Sequence, residues 1–284
     1  MGYLRRHMNP PPATPDLATR PIGVFDSGIG GLTVARAVNR LLPNERLIYF
    51  GDTAHLPYGD KSTASIQAYS IKICDVLLRQ QCKVILIACN SASTAAYELV
   101  REYVGSKALV LNVIDPIVAH VGRHYAGRRV GLIGTKQTVG SNVYRKKIDD
   151  LSVDIQLHAL ATPLLAPMIE EGFFNNAISE SVIQNYLSDS SLATIEALVL
   201  ACTHYPLIRE QITDFYQGRV DVLDPSASVA EALKELLEQH NLLAPALLPP
   251  KHHFYVSDFT RSFEESTRIF FGQEVNLEAY PLWE

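Results

Sequence analysis

The sequence has few cysteines and no long apolar or basic runs. None of its four cysteines forms a pair with the two-residue spacing that is typical of zinc and redox motifs. No apolar run approaches the roughly 20 residues that a membrane-spanning helix needs. The net charge is -5, so neither nucleic acid nor an anionic membrane is expected as the main partner.

The first twenty residues, MGYLRRHMNPPPATPDLATR, are polar and rich in proline. They lack the apolar centre of a secretory signal peptide. We therefore expect residues 1–20 to form a flexible N-terminal segment outside the fold, and the pair His7-Met8 is typical of a cloning junction. A chain without an export signal is expected in the cytoplasm, where its four cysteines are free thiols.

Short apolar runs alternate with longer helical patterns along the rest of the chain. Apolar residues make up 47% of the sequence and charged residues 19%, which is typical of a globular protein with a buried core. The alternation predicts an α/β fold built on parallel sheets. The strands predicted before the tail are 22–25, 46–50, 84–88, 109–114, 129–134, 153–158 and 197–201, and residues 253–280 are predicted to form strand, helix and strand.

Apolar stripes at helical spacing predict the helices. One stripe covers residues 34–42 and ends before Pro43, a second covers residues 66–77, and a third follows Pro206. Thr33 is a candidate N-cap for the first helix. Ser228 and Glu231 have the spacing of a capping box and predict the start of a later helix.

Two stretches of the sequence echo each other. Residues 84–93 read VILIACNSAS and residues 198–207 read LVLACTHYPL, so each places a cysteine where a buried strand gives way to polar residues. This echo predicts two pseudo-symmetric lobes, each a mainly parallel sheet flanked by helices. Ligands of such sheets bind at the carboxyl ends of the strands, so the active site is expected in the cleft between the lobes. We assign residues 21–113 plus 226–284 to the first lobe and residues 114–225 to the second.

Two loops follow predicted strands of the first lobe. In GVFDSGIGGLTVA, Asp26 and Ser27 precede a glycine-rich turn that lacks the spacing of a dinucleotide-binding fingerprint. The turn is either an anion-binding loop, in which backbone N–H groups hold the ligand, or a plain connection between strand and helix. The loop GDTAHLPYGDKS, residues 51–62, either lines a pocket with Tyr58 or is an ordinary turn.

The four cysteines fall into two groups. Cys74 and Cys82 lie beside apolar patterns and are interpreted as packing residues. Cys89 and Cys202 stand at strand-to-helix junctions, where the positive end of a helix is expected to lower the pKa of a thiol. His204 lies two residues beyond Cys202 and could exchange a proton with it.

A single thiol with a base is sufficient for nucleophilic catalysis, so a second thiol in a matched position indicates a different chemistry. Inversion of a carbon centre needs one group to remove a proton from one face and another group to deliver a proton to the opposite face. A thiol can act as either acid or base when its pKa lies near neutrality. The pair therefore favours a racemase or epimerase, and no motif in the sequence indicates a metal site or an organic cofactor.

Five motifs carry a resemblance to a known family. FDSGIGGLTV, PYGDKS, ACNSAS, GTKQTVGSNVY and ACTHYPLI occur in this order and together resemble the bacterial glutamate racemases over nearly all of residues 21–284. The resemblance implies a cofactor-independent enzyme that interconverts L- and D-glutamate and supplies D-glutamate for peptidoglycan synthesis. It also implies an active site between two α/β lobes.

The resemblance assigns roles to individual residues. Cys89 would be the base that acts on D-glutamate, with Asp26 assisting it. Cys202 would be the base that acts on L-glutamate, with His204 assisting it. The residues implied in substrate binding are Ser27, Pro57, Tyr58, Gly59, Asn90, Ser91, Thr203 and, near the second thiol, Glu170.

Other functions remain open at this stage. The chain could be a racemase of aspartate or of a hydantoin, a cysteine hydrolase that uses Cys89 or Cys202 with His204, or a non-catalytic anion-binding protein. Some members of the family need UDP-N-acetylmuramoyl-L-alanine as an activator, and the sequence does not decide whether this chain does. A homodimer is a further prediction.

Overall fold

All strands in the computed structural model, which describes residues 16–246 and 249–284, belong to two parallel sheets. Strands and helices are numbered in chain order. The larger sheet has the order β10-β9-β2-β1-β3-β4 and consists of β1 (Ile22–Asp26), β2 (Leu47–Gly51), β3 (Val84–Ile87), β4 (Leu109–Asn112), β9 (His253–Val256) and β10 (Leu277–Ala279). The smaller sheet has the order β6-β5-β7-β8 and consists of β5 (Arg129–Gly134), β6 (Gln156–Ala161), β7 (Ala197–Ala201) and β8 (Asp221–Leu223).

Helices connect the strands. They are α1 (Leu32–Leu41), α2 (Thr63–Arg79), α3 (Asn90–Val104), α4 (Ile114–His124), α5 (Lys136–Gly140), α6 (Val143–Asp150), α7 (Leu165–Glu170), α8 (Ala177–Leu187), α9 (Arg209–Phe215), α10 (Pro225–Gln239) and α11 (Arg261–Phe271). Short 3-10 helices cover Leu17–Thr19, Thr53–His55, Tyr58–Asp60, Ser190–Leu192 and Tyr205–Ile208.

The central strands are apolar because parallel sheets are covered by helices on both faces. Every residue of β1, β2, β3 and β7 is buried. Successive side chains of a strand point to opposite faces, so Val24 packs into a core that extends through both lobes, whereas Phe25 packs into a second core beneath the larger sheet. The predicted α/β fold with two parallel sheets is confirmed.

The chain passes between the two sheets at α4 and again at α10. These two helices pack against each other, and α10 also packs against α1 of the first lobe. The proposed boundaries at 113/114 and 225/226 coincide with the starts of these helices and stay a prediction.

Several local predictions need correction. The strand predicted at 153–158 lies at Gln156–Ala161, and the short edge strand Asp221–Leu223 was not predicted. The helix expected to start at Ser228 begins at Pro225 instead, because proline suits the first helical position and Asp224 accepts a hydrogen bond from the Ser226 N–H at 2.9 Å. Thr33 does not cap α1, because this helix begins at Leu32 and its N-cap is Gly31.

The N-terminal segment is only partly described. Residues 1–15 lie outside the described residues, so the prediction for them stays open. Residues 16–20 do contact the fold, since the 3-10 helix Leu17–Thr19 buries Ala18, whose carbonyl accepts a hydrogen bond from Lys83. Within the described ranges, no helix is long and apolar enough to cross a membrane.

A buried ion pair fixes this corner of the molecule. The Nζ of Lys83 lies 2.6 Å from Oε2 of Glu45, and both side chains are almost fully buried. Lys83 also donates to the carbonyls of Ala18 at 2.6 Å and Leu242 at 2.7 Å. Glu45 in turn accepts from the N–H of Ala244 at 2.8 Å. The pair therefore ties four chain segments together, those around Ala18, Glu45, Lys83 and Leu242.

We expect Lys83→Met to lower the free energy of unfolding by about 3 kcal/mol, because it leaves the carboxylate of Glu45 buried without its partner. The measurement is equilibrium unfolding in urea. The control is Arg79→Met, which breaks an exposed pair with Asp75 and should cost less than about 1 kcal/mol. Equal losses in the two variants would contradict a structural role for the buried pair.

Candidate active site

The carboxyl ends of strands from both sheets border one shared cavity. Ser27 follows β1 and Cys89 follows β3 in the first lobe, while Thr135 follows β5 and Cys202 follows β7 in the second. The residues that line the cavity are Ser27, Pro57, Tyr58, Gly59, Cys89, Asn90, Ser91, Thr135, Ala166, Glu170, Ala201, Cys202, Thr203 and His204.

The structure brings the predicted site residues together. All of them line this cavity except Asp26, which is fully buried behind it. Thr135, Ala166 and Ala201 also line the cavity and were not predicted from the sequence. Thr135 could have been recognised in the sequence, because it directly follows the predicted strand 129–134, as Cys202 directly follows the strand 197–201.

On the first side of the cavity, Cys89 is the N-cap of α3. Its sulfur accepts a hydrogen bond from the Ala92 N–H at 3.4 Å and lies 3.7 Å from the hydroxyl of Ser27. Nearby, Oδ2 of Asp26 accepts from the N–H groups of Gly28 at 3.2 Å and Gly31 at 3.0 Å. Its other oxygen is buried and has no hydrogen-bond partner among the described residues.

The pKa of Cys89 is shifted in the direction opposite to the one expected from the sequence. Burial raises the pKa of the Cys89 thiol, and the charge of Asp26 raises it further. The Ala92 N–H and Ser27 lower it but do not compensate, so the expected lowering by the helix end is overturned by desolvation. Burial also raises the pKa of Asp26, although His204 and backbone N–H groups oppose this.

On the second side, His204 links Cys202 to Glu170. Its Nδ1 lies 3.6 Å from the sulfur of Cys202, and its Nε2 lies 2.9 Å from Oε1 of Glu170. The contact between His204 and Glu170 is an ion pair. It does not have the geometry of a hydrogen bond. The edge-to-face contact with Phe270, at 5.3 Å between ring centroids, holds the imidazole from behind.

Burial alone would lower the pKa of His204. The contacts with Cys202 and Glu170 outweigh burial and raise this pKa well above its usual value. The imidazole is therefore expected to carry its second proton at neutral pH, where it can give a proton to Cys202 or balance a negative charge on that sulfur.

Hydrogen bonds join the two lobes around the cavity. Ser91 and Thr135 share a bond at 2.9 Å between their hydroxyls, and Tyr144 donates to the side-chain oxygen of Asn90 at 2.7 Å. The hydroxyl of Thr33 lies 3.0 Å from the Thr203 carbonyl and donates across the lobes at that point. These bonds attach the loop of each thiol to the opposite lobe.

Tyr58 contributes to the cavity differently from the prediction. Its hydroxyl donates to Oδ2 of Asp52 at 2.6 Å, so its one proton is already used inside the first lobe. Tyr58 and Gly59 line the cavity chiefly with the ring and the backbone of the 3-10 helix Tyr58–Asp60.

A larger open groove lies between α1, α9, α10 and α11. Thr33, Pro206 and Phe270 are among its lining residues, but neither Cys89 nor Cys202 is. We assign the chemistry to the smaller cavity because both thiols and their ionisable partners meet there. In the part of the chain that the structure describes, no group of three or more His, Cys, Asp or Glu is placed to hold a metal ion.

Two parallel α/β lobes present one thiol each to a shared cavity, which is the arrangement that the sequence analysis associated with a racemase. The comparisons agree with this class. Residues 22–233 match the family model described as Asp/Glu/Hydantoin racemase, and the chain belongs to this family.

Relatives of this chain include proteins named glutamate racemase. The glutamate racemase of Chlorobaculum parvum is 40% identical over 90% of this chain and 93% of its own length. The glutamate racemase of Neisseria meningitidis serogroup B is 39% identical over 89% of this chain and 93% of its own. The family resemblance found in the motifs is thus confirmed.

Solved structures share the fold. A Francisella tularensis glutamate racemase in complex with D-glutamate superposes with a TM-score of 0.87 at 39% identity, covering 94% of this chain and 99% of that one. An Escherichia coli glutamate racemase in complex with L-glutamate and the activator UDP-MurNAc-ala has a TM-score of 0.70 at 26% identity, covering 87% and 92%. A Picrophilus torridus aspartate racemase, at 18% identity and TM-score 0.55 over 77% and 94%, shares the fold alone.

The raised pKa of Asp26 predicts how Asp26→Asn changes stability with pH. The folded protein holds this proton more tightly than the unfolded chain, whose carboxyl titrates near the usual 3.8. The contribution of Asp26 to stability is therefore present at low pH and lost as pH rises through the folded-state pKa. We expect the Tm of the variant minus that of the wild type to increase as the pH rises above about 4. Thermal unfolding measures it, and a difference that is constant or falls with pH would contradict a buried, unpaired charge.

Proposed function

We propose that the chain is a glutamate racemase that interconverts L- and D-glutamate by proton transfer between two thiols. The observation that carries the proposal is that Cys89 and Cys202, from different lobes, line one cavity and each has its own ionisable partner. The relatives of 35 to 40% identity that are named glutamate racemases support glutamate as the substrate.

From L-glutamate, Cys202 removes the α-proton as a thiolate, with His204 beside it to compensate the change in charge. Cys89 then delivers a proton to the opposite face of the same carbon. The raised pKa of Cys89 supports this assignment, because it keeps the thiol protonated and ready to donate. From D-glutamate the roles reverse, and Asp26 assists Cys89 in losing its proton. In this scheme the thiols supply both proton transfers without a cofactor.

Substrate binding is assigned to polar groups around the two thiols. Ser27, Asn90, Ser91 and Thr203, with the backbone beside Pro57, Tyr58 and Gly59, would hold the two carboxylates and the amine. Two of these lie near helix starts, since Asn90 and Ser91 begin α3, and exposed N–H groups there favour anions. Exclusion of water by the bound substrate would strengthen the electrostatic stabilisation of the developing carbanion.

The alternatives explain less of the geometry. A cysteine hydrolase would use the pair Cys202 and His204 and leave Cys89 and Asp26 without a role. A racemase of aspartate or of a hydantoin would fit the two thiols, and assays with glutamate, aspartate and a hydantoin side by side separate these substrates.

The proposal extends to the setting of the reaction. D-Glutamate would supply peptidoglycan synthesis, and the cytoplasm would keep both thiols reduced. Whether UDP-N-acetylmuramoyl-L-alanine activates this enzyme is tested by circular dichroism of L-glutamate turnover with and without it. A homodimer is tested by sedimentation of the purified protein.

Replacing one thiol should separate the two half-reactions. We expect Cys89→Ser and Cys202→Ser each to lower racemisation by about 10³-fold, because each removes one acid–base group. In D₂O, Cys89→Ser should exchange the α-proton of L-glutamate faster than that of D-glutamate, and Cys202→Ser the reverse. Proton NMR and circular dichroism measure both. Cys74→Ser, a buried thiol in α2, is the control. Full racemisation by either active-site variant would contradict the two-thiol mechanism.

A glycine substitution tests the position of His204. A Cβ on Gly30 would lie 2.6 Å from Oγ1 of Thr203 and 2.7 Å from Nδ1 of His204, so Gly30→Ala must displace the imidazole. We expect racemisation to fall by about 100-fold, the typical effect of a displacement near 1 Å. Gly28→Ala is the control, since its Cβ would meet Leu56 at an ordinary 3.5 Å. Equal activity of the two variants would argue against His204 as an acid–base partner.

A further inference from the structure

Asp52, the residue after β2, is fully buried, and its carboxylate gathers hydrogen bonds from four side chains. Tyr58 donates to Oδ2 at 2.6 Å, while Trp283 at 2.7 Å and Ser257 at 2.8 Å donate to Oδ1. Nδ1 of His55 lies 3.1 Å from Oδ2. These donors come from one loop near the cavity and from two points of the C-terminal segment.

Trp283, the second-last residue, is held tightly in this cluster. Its ring meets His55 edge-on with centroids 4.4 Å apart and meets Tyr69 of α2 at 5.3 Å. The ammonium of Lys72 lies 4.6 Å from the centroid of the indole, within the range of a cation–π contact. The end of the chain is thus attached both to α2 and to Asp52.

The carboxylate of Asp52 is connected to the cavity by its hydrogen bond from Tyr58, which lines the cavity. The turn of Tyr58 and Gly59 lines the cavity and packs directly against the other lobe, since a Cβ on Gly59 would lie 2.8 Å from the Cβ of Thr135. At this packing, a small rotation of the Tyr58 ring changes the shape of the cavity. Asp52 and Trp283 themselves do not line it.

We propose that Asp52 and Trp283 are positioning residues of the active site. Through the hydrogen bonds from Trp283 to Asp52 and from Tyr58 to Asp52, the C-terminal segment holds the Tyr58–Gly59 turn in the geometry that receives the substrate. The inference rests on the proposed function only for the identity of that substrate. Hydrogen bonds to a charged acceptor are the strong ones, so loss of one donor lets the carboxylate rotate and the turn shift.

Kinetics of Trp283→Phe test the proposal, because phenylalanine keeps an aromatic ring and removes the N–H donor. We expect KM for glutamate to rise about tenfold, the usual effect of losing a hydrogen bond to a charged group, with kcat within about twofold. Tyr280→Phe is the matched control, since Tyr280 lies in the same tail and packs on Phe50 without contacting Asp52. The same KM in both variants would overturn the proposal.

A double-mutant cycle asks whether the donors act through one carboxylate. Asp52→Asn and Trp283→Phe combined should raise KM no more than Asp52→Asn alone, whereas independent effects would multiply. If Asp52→Asn does not fold, Ser257→Ala with Trp283→Phe forms a second cycle on the same oxygen atom. Multiplying effects in the cycle that folds would overturn a shared positioning role.

Fluorescence gives a readout that does not depend on activity, because Trp283 is the one tryptophan of the sequence. Tyr58→Phe removes the hydroxyl donor at the cavity, and we expect the emission of Trp283 to shift as Asp52 reorients. Unchanged emission would overturn the connection from cavity to tail. A wild-type protein that does not racemise glutamate would contradict the proposed function, whereas active wild type with an unaffected Trp283→Phe variant would contradict only the positioning role.

Discussion

The direction of the strands is the constraint on which the site depends. Each sheet is entirely parallel, so each has one edge at which all the strand-to-helix loops emerge, and the two sheets turn these edges toward the same cavity. Cys89 and Cys202 are held at the ends of fully buried central strands, which gives them little freedom to move. Rigid supports of this kind suit proton transfer, where a small displacement is costly.

The two halves of the site are alike in backbone but opposite in charge. Cys89 has a buried carboxyl group, Asp26, nearby, and Cys202 has an imidazole that is itself paired with Glu170. The environment of Cys89 favours its neutral form, while the raised pKa of His204 places a positive charge beside Cys202. The two lobes have the same strand order around their cysteines, but one places a carboxyl group near its thiol and the other places an imidazole there.

Much of the architecture could be predicted from the sequence. The matched cysteines indicated both the lobes and the shared cavity, because ligands of parallel sheets bind at the carboxyl ends of the strands. The electrostatics could not be predicted, since the desolvation of Cys89 depends on how closely the lobes meet. Asp52 also escaped prediction, because its partners Ser257 and Trp283 lie more than 200 positions away in the chain.

The raised pKa of Cys89 also affects how readily this thiol reacts with oxidants. Peroxides and alkylating agents attack the thiolate, and a thiol whose pKa is raised by burial offers little of it. Cys74 and Cys82 are buried in the same protective way, with burial as the main cause of their raised pKa values. The desolvation that raises the pKa of Cys89 therefore also limits the reaction of this thiol with peroxides and alkylating agents.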